Sequence, residues 1–259
     1  MIRLIYVLRR KPELSLEEFQ EYWRETHGPL VASHAGHLDI LRYVQVPTLD
    51  DPVNEQLPGA RGTMEPPYDG VAELWWETPE ALATAFATAE GQAAGAELLE
   101  DERRFIDLGA SPMWLAHDYP QINPTPEDLV AGEYNSVVKL YYPLRHLQSL
   151  SLVAAQEYWR TAHGPLIRSI APAARIRRYI QVHRYESEIE ATLRESRGTR
   201  VEAYTGHAEL WFDRADLRAP PTPERARGGE LAIADESKFI DFSRSAMWIA
   251  KERVFIDRR

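Results

Sequence analysis

The string YWRETHGPL at residues 22–30 returns as YWRTAHGPL at residues 158–166, displaced by 136 positions with seven of nine residues unchanged. Three further blocks follow in the same order. Arg42-Tyr43-Val44-Gln45-Val46 answers to Arg178-Tyr179-Ile180-Gln181-Val182, and GVAELWW at Gly70–Trp76 answers to GHAELWF at Gly206–Phe212. At a displacement of 134, Asp101–Ala116 answers to Asp235–Ala250. Four blocks in one order are the mark of a tandem duplication, and a period this long makes two domains rather than a solenoid. We place unit one at 1–118, a linker containing Pro120, Pro124 and Pro126 at 119–133, and unit two at 134–259.

Each copy reads as β-α-β-β-α-β. Ile2–Arg9 has the aliphatic and aromatic content of a strand. Ser15 with Glu18 forms the sequence of a capping box, and Leu16, Phe19, Trp23, His27 and Leu30 then recur at helical spacing on one face. Gly28-Pro29 predicts the end of that helix, because proline lacks a donor and clashes one turn back. Strands are expected over Leu38–Val46 and Gly70–Trp76. Thr78-Pro79 should open one long Ala-rich helix to about Asp107, and a last strand should begin at Pro112–Ala116. Unit two repeats this from Asn135. Both units carry a long insertion between the second and third strands. Pro47–Pro67 reads as irregular, whereas Arg184–Ala203 has the composition to hold a short helix. Insertions of this length serve as lids or binding loops, or merely decorate.

Such a unit has helices on one sheet face only, yet its strands are apolar on both parities. The simplest cover for the second face is the sheet of the other unit. The expected fold is therefore α+β: two tandem ferredoxin-like βαββαβ units whose antiparallel sheets pair into an α+β barrel, an intrachain pseudo-dimer open to further homodimer pairing. Residues 1–130 hold 9 Lys/Arg against 23 Asp/Glu and the remainder 21 against 17, an opposition of sign that favours pairing within the chain. The net charge of −10 argues against nucleic acid or an anionic membrane as partner. There is no cysteine, which excludes disulfides and thiolate chemistry. Leu4–Leu8 is too short for a signal or membrane segment, so a cytoplasmic location is expected.

His27 and His163 stand out as candidates for catalysis. Each lies on the apolar face four residues after Trp23 or Trp159, at the Gly-Pro break, and imidazole is the side chain suited to proton transfer near neutrality. A structural helix terminator is the alternative. Glu73 and Glu209 sit inside strands where an unpaired carboxylate is costly, so they either face a wet pocket and orient the histidines or pair with Arg42 and Arg178. Tyr43/Gln45 and Tyr179/Gln181 alternate onto one strand face and could hold a ligand oxygen. Asp101, Asp235, Asp107 and Asp241 read as structural acceptors, and the repeated tryptophans as core. His34 and His37 make an HxxH pair, but unit two places Ile170 and Ala173 there, so no metal is expected. No phosphate loop, nucleophile elbow or HExxH occurs, so no cofactor is expected either.

The YWxxxHGPL string, the RYxQ strand and the DExxFID block together resemble the EthD family, over both copies and so over most of the chain. The resemblance implies the dimeric α+β barrel, here fused into one chain. It also implies a cavity between sheet and helices toward which the histidine of HGPL points. Related barrels include cofactor-free dehydratases, decarboxylases, cyclases and monooxygenases acting on aromatic or polyketide-like compounds. We therefore expect a cofactor-independent lyase or isomerase on a small aromatic or polyketide-like carbonyl compound. His27 and His163 would move protons, with Tyr43, Gln45, Glu73, Trp23, Tyr179, Gln181, Glu209, Trp159 and His207 binding substrate. The alternatives are a non-catalytic metabolite-binding protein and a cofactor-free monooxygenase. His207 stands where unit one has Val71, so the two sites need not be equivalent.

Overall fold

The computed structural model describes residues 1–124 and 129–259; Pro126 of the linker lies outside them. Unit one runs β1 (Ile2–Leu8), α1 (Leu16–Tyr22), α2 (Gly28–Ser33), β2 (Arg42–Pro47), α3 (Val53–Gln56), β3 (Gly70–Trp76), α4 (Pro79–Ala87), α5 (Ala89–Glu102) and β4 (Met113–Ile122). Unit two runs β5 (Val137–His146), α6 (Leu152–Tyr158), α7 (Gly164–Ala174), β6 (Arg178–Tyr185), α8 (Glu188–Arg197), β7 (Gly206–Asp213), α9 (Arg214–Arg218) and α10 (Pro223–Glu236). It ends on β8 (Ile240–Asp241), β9 (Trp248–Ala250) and β10 (Arg253–Asp257).

The capping box forms as the sequence predicts: the Ser15 hydroxyl accepts from the Glu18 amide, and the Glu18 carboxylate accepts from the Ser15 amide. The single long helix from Thr78 does not form. Thr88 takes an extended backbone and caps a second helix, accepting from the Gly91 amide at 2.9 Å, which splits the segment into α4 and α5.

Gly28-Pro29 does not end the first helix. Trp23–His27 widens into a π turn, in which the Gly28 amide donates to the Trp23 carbonyl five residues back, and helix resumes as α2. The widening relieves the clash that Pro29 would make in an α-helical register, and Trp159–His163 repeats it in unit two.

The sheets are antiparallel, with β3 between β1 and β2, and β7 between β5 and β6. Each unit's last strand also pairs with the second strand of the other unit, β4 with β6 and β10 with β2. β9 pairs with β5 and leads directly into β10, so the ring closes. The chain is thus two tandem ferredoxin-like units whose sheets form one α+β barrel.

Three apolar clusters follow from this layout. One fills the barrel between the sheets, around Trp75, Trp114, Trp211 and Trp248. The other two lie between each sheet and its own helices. The insertions cross over. Leu193 of α8 is buried in the helix-side core of unit one, and Val53 of α3 is buried in that of unit two. The first insertion is accordingly not wholly irregular, while the short helix expected in the second is α8.

Candidate functional site

Strand alternation sorts the candidate residues onto two sides of the sheet. In β3, Ala72 and Leu74 turn toward the helices and help line a cavity in unit one that encloses about 50 Å³. Glu73 between them turns the other way, into the barrel.

The cavity lies over β1, β2 and β3, and its lining is mostly apolar. His27, Tyr43, Tyr6, Glu102 and Arg197 supply its polar groups, and Trp23 forms part of its wall. The π turn places His27 on this face, 6% exposed, with its ring 5.1 Å from that of Phe105. His27 Nδ1 lies 2.8 Å from Asp101 Oδ2. Asp101 closes α5, and its other oxygen accepts from the Tyr22 hydroxyl at 2.6 Å. Burial tends to raise the Asp101 carboxyl, but the bonds from His27 and Tyr22 outweigh it and hold the group below its ordinary range. An ionised Asp101 fixes the proton of His27 on Nδ1 and leaves Nε2 as the basic nitrogen.

Gly28 makes this placement achievable. A Cβ there would stand 2.4 Å from the Phe255 ring of β10 and 2.9 Å from Gln45 Nε2 of β2, so glycine leaves both side chains their present positions against the helix. Gln45 itself points at the helix, not into the cavity. Its Nε2 donates to the Trp23 carbonyl at 2.7 Å and to the Tyr43 hydroxyl at 3.0 Å. Trp23 Nε1 donates to the same hydroxyl at 3.1 Å. The Tyr43 oxygen thus accepts two bonds and keeps its own proton to give. Burial pushes its phenol above the ordinary value, so it stays a donor at neutral pH. Trp23 and Gln45 are therefore positioning residues for Tyr43.

Unit two repeats the arrangement. His163 Nδ1 lies 2.9 Å from Asp235, which accepts from Tyr158 at 2.7 Å, and Tyr179 accepts from Trp159 and Gln181 at 3.1 and 3.0 Å. Lys238 adds a bond to Asp235 that Asp101 lacks, at 2.9 Å.

The expectation that Glu73 and Glu209 orient the histidines is corrected by their facing. Both are buried in the barrel, where Lys139 Nζ lies 2.8 Å from each and Arg3 Nη2 bridges them. Arg42 and Arg178 are not their ion-pair partners; these guanidiniums lie over Trp75 and Trp211 at 5.2 and 4.4 Å. Burial pushes the Glu73 carboxyl up to about 7 against the pull of the two cations. His207 also lies in the barrel rather than beside His163. Its Nε2 meets Glu209 at 3.0 Å and its ring stacks on Tyr141 at 4.2 Å. Glu73, His207 and Glu209 are the one group among the described residues with metal-ligand spacing. Arg3 and Lys139 already neutralise the two carboxylates, so an added cation would have to displace them. His34 meets Glu97 at the surface, at 2.9 Å.

Asp101 and Asp235, read from the sequence as structural acceptors, contact His27 and His163, and the arginines of the insertions are not among the sequence candidates. Arg197 closes a bidentate pair on Glu102 in unit one, at 2.7 Å for both bonds, and Arg61 closes the matching pair on Glu236 in unit two, at 2.6 and 2.8 Å. Each arginine therefore reaches the site of the other unit. A signal existed: Arg61-Gly62-Thr63 and Arg197-Gly198-Thr199 keep the displacement of 136 inside insertions that otherwise differ.

A candidate monooxygenase from Fusobacterium nucleatum superposes with a TM-score of 0.50 at 6% identity, covering 98% of this chain and 93% of that one. A dye-decolorizing peroxidase from Bacteroides thetaiotaomicron gives 0.49 at 8% identity, covering 96% and 92%. The first of these shares the fold, and at such identity shows nothing more. No curated protein matches the sequence. The EthD domain pattern matches residues 11–109 and again 147–243, three quarters of the chain, and the protein belongs to the EthD family.

Proposed function

We propose that this EthD protein handles a small molecule in the helix-side cavity of unit one, as a cofactor-independent lyase or isomerase on an aromatic or polyketide-like carbonyl compound. The observation that carries the reading is the pairing of a base with a donor in one apolar cavity: His27 aimed by Asp101, and Tyr43 polarised by Trp23 and Gln45. His27 Nε2 takes a proton from carbon next to the substrate carbonyl. The electron pair of that C–H bond moves onto the carbonyl oxygen, which Tyr43 meets with its O–H. The proton on Nε2 then returns to a different carbon in an isomerisation, or to a departing hydroxyl in a dehydration. In the dehydration the oxygen's electron pair re-forms the carbonyl, the C=C bond forms and the C–O bond breaks, so both courses balance with no oxidant or reductant.

An enclosed volume of about 50 Å³ is less than the roughly 150 Å³ that admits benzene, so a substrate enters by displacing part of the wall. Leu193 and Arg197 of α8 form the part of that wall contributed by unit two, and they act as its cover.

The test is turnover of enolisable aromatic ketones followed by exchange of the carbon-bound proton in deuterated water. Wild-type protein should exchange it and His27→Ala should not. Full exchange in His27→Ala with His163→Ala defeats the reading. Oxygen uptake with a dihydroxyaromatic compound would instead identify a monooxygenase. Tight binding with no exchange would identify a metabolite carrier.

A further inference from the structure

The unit-one cavity holds a polar group that the proton transfer leaves unused. Tyr6 on β1 lines the cavity and is 4% exposed; the one side chain acting on its hydroxyl is Arg197, which can only donate, so the hydroxyl proton has no acceptor among the described residues. Its counterpart in unit two, Tyr142, donates to Glu236 Oε2 at 3.4 Å. In unit one, Arg197 holds Glu102 through Nε and Nη2 as Arg61 holds Glu236, but the Tyr6 hydroxyl does not reach the carboxylate, and the Arg197 guanidinium stands 5.6 Å from the Tyr6 ring. A buried hydroxyl whose proton lacks an acceptor destabilises the fold. Such a group is retained where a ligand supplies the missing acceptor, and burial keeps the Tyr6 phenol protonated for that role.

Its position indicates which part of a ligand it meets. Tyr6 on β1 faces Ala72 of β3 and Tyr43 on β2 faces Leu74, so their Cα atoms are two strands apart across the sheet and two residues apart along it, roughly 12 Å in all. That spacing suits two different oxygens of one ligand. The rest of the lining is aliphatic and aromatic, with Trp76 and Phe86 among it, which suits a ring between the two oxygens.

We propose that Tyr6 donates a hydrogen bond to a second substrate oxygen, so that unit one selects aromatic carbonyl compounds bearing another hydroxyl or carbonyl group remote from the reacting one. This rests on the cavity being the substrate site, and it specifies the substrate class.

Calorimetric binding of tetralone and a set of its ring-hydroxylated isomers tests this without turnover. One hydrogen bond corresponds to about a ten-fold preference, so the best hydroxylated isomer should bind wild-type protein about ten-fold tighter than tetralone. Tyr6→Phe should erase that preference while leaving the affinity for tetralone within about two-fold, and Tyr142→Phe should keep it. The proposal fails if Tyr6→Phe retains the preference, weakens all the probes alike, or if the wild type shows neither preference nor binding. His27→Ala should keep the preference while losing proton exchange. If His27→Ala combined with His163→Ala still exchanges protons, the chemistry is refuted and the selectivity of Tyr6 stands.

Discussion

His27 and Asp101 lie 74 residues apart in the chain, yet Nδ1 and Oδ2 come within 2.8 Å of each other, and His163 with Asp235 repeats the contact at 2.9 Å. The π turn delivers the histidine and the end of α5 delivers the carboxylate. Two elements with no local reason to meet thus set the tautomer of the imidazole in both units.

Asp101→Asn keeps the shape of that contact and changes its chemistry. An amide can donate to Nδ1, which moves the imidazole proton to Nε2 and removes the base. Turnover should fall by roughly 10²–10⁴-fold with KM little altered, as for other carboxylate–histidine pairs. Steady-state kinetics with a thermal melt as the folding control measures this. A loss smaller than about ten-fold would show that Asp101 only packs the helix.

Arg197 and Glu102 join the two units around the unit-one cavity. Arg197→Ala strands a carboxylate that is 5% exposed, which should cost about 3–5 kcal/mol in urea unfolding. Arg197→Met combined with Glu102→Gln removes both charges and should cost much less. If the double variant loses as much as Arg197→Ala, the pair is not the source of the effect, and α8 packs through Leu193 alone.

The duplication was legible because blocks such as RYVQV and RYIQV keep register, and the paired sheets followed from strands apolar on both faces. The facing of Glu73 was not legible. A period of two assigns Ala72 and Leu74 to one side, but not which side carries helices when both are covered. The crossing of the insertions was hidden too, because Arg61 and Arg197 find their carboxylates only after the barrel has closed. The π turn escaped notice because Pro29 forbids an α-helical register there, while a wider one remains open to it.

Gly28→Ala probes the close approach of the helix to β2. The added methyl meets the Phe255 ring at 2.4 Å and Gln45 Nε2 at 2.9 Å, so one or both of these side chains must shift. Overpacking of this kind costs about 1–3 kcal/mol. Because Gln45 holds Tyr43 and the next residue back is His27, activity should fall further than stability explains. Kinetics at a temperature well below the melt separates the two, and unchanged kinetics there would remove Gly28 from the site.

His207 should make the protein sensitive to acid. It is fully buried in the barrel, and burial drives its pKa down to about 3 in spite of the bond to Glu209. The unfolded imidazole takes up a proton near 6.5. Between those values the unfolded chain binds more protons than the folded one, so the contribution to stability is intact above about 6.5 and is lost as pH falls toward 3. The slope is about 1.4 kcal/mol per pH unit, or about 2 kcal/mol between pH 7 and pH 5. Glu73, raised to about 7, works in the opposite sense over part of this range in wild type and variant alike. His207→Val installs the side chain that unit one carries at Val71, which the barrel accepts there. Denaturant unfolding at pH 7 and pH 5 should show the variant losing about 2 kcal/mol less than wild type on acidification. Equal losses would mean that the imidazole holds its proton inside the folded barrel, with Glu209 as the partner that keeps it there.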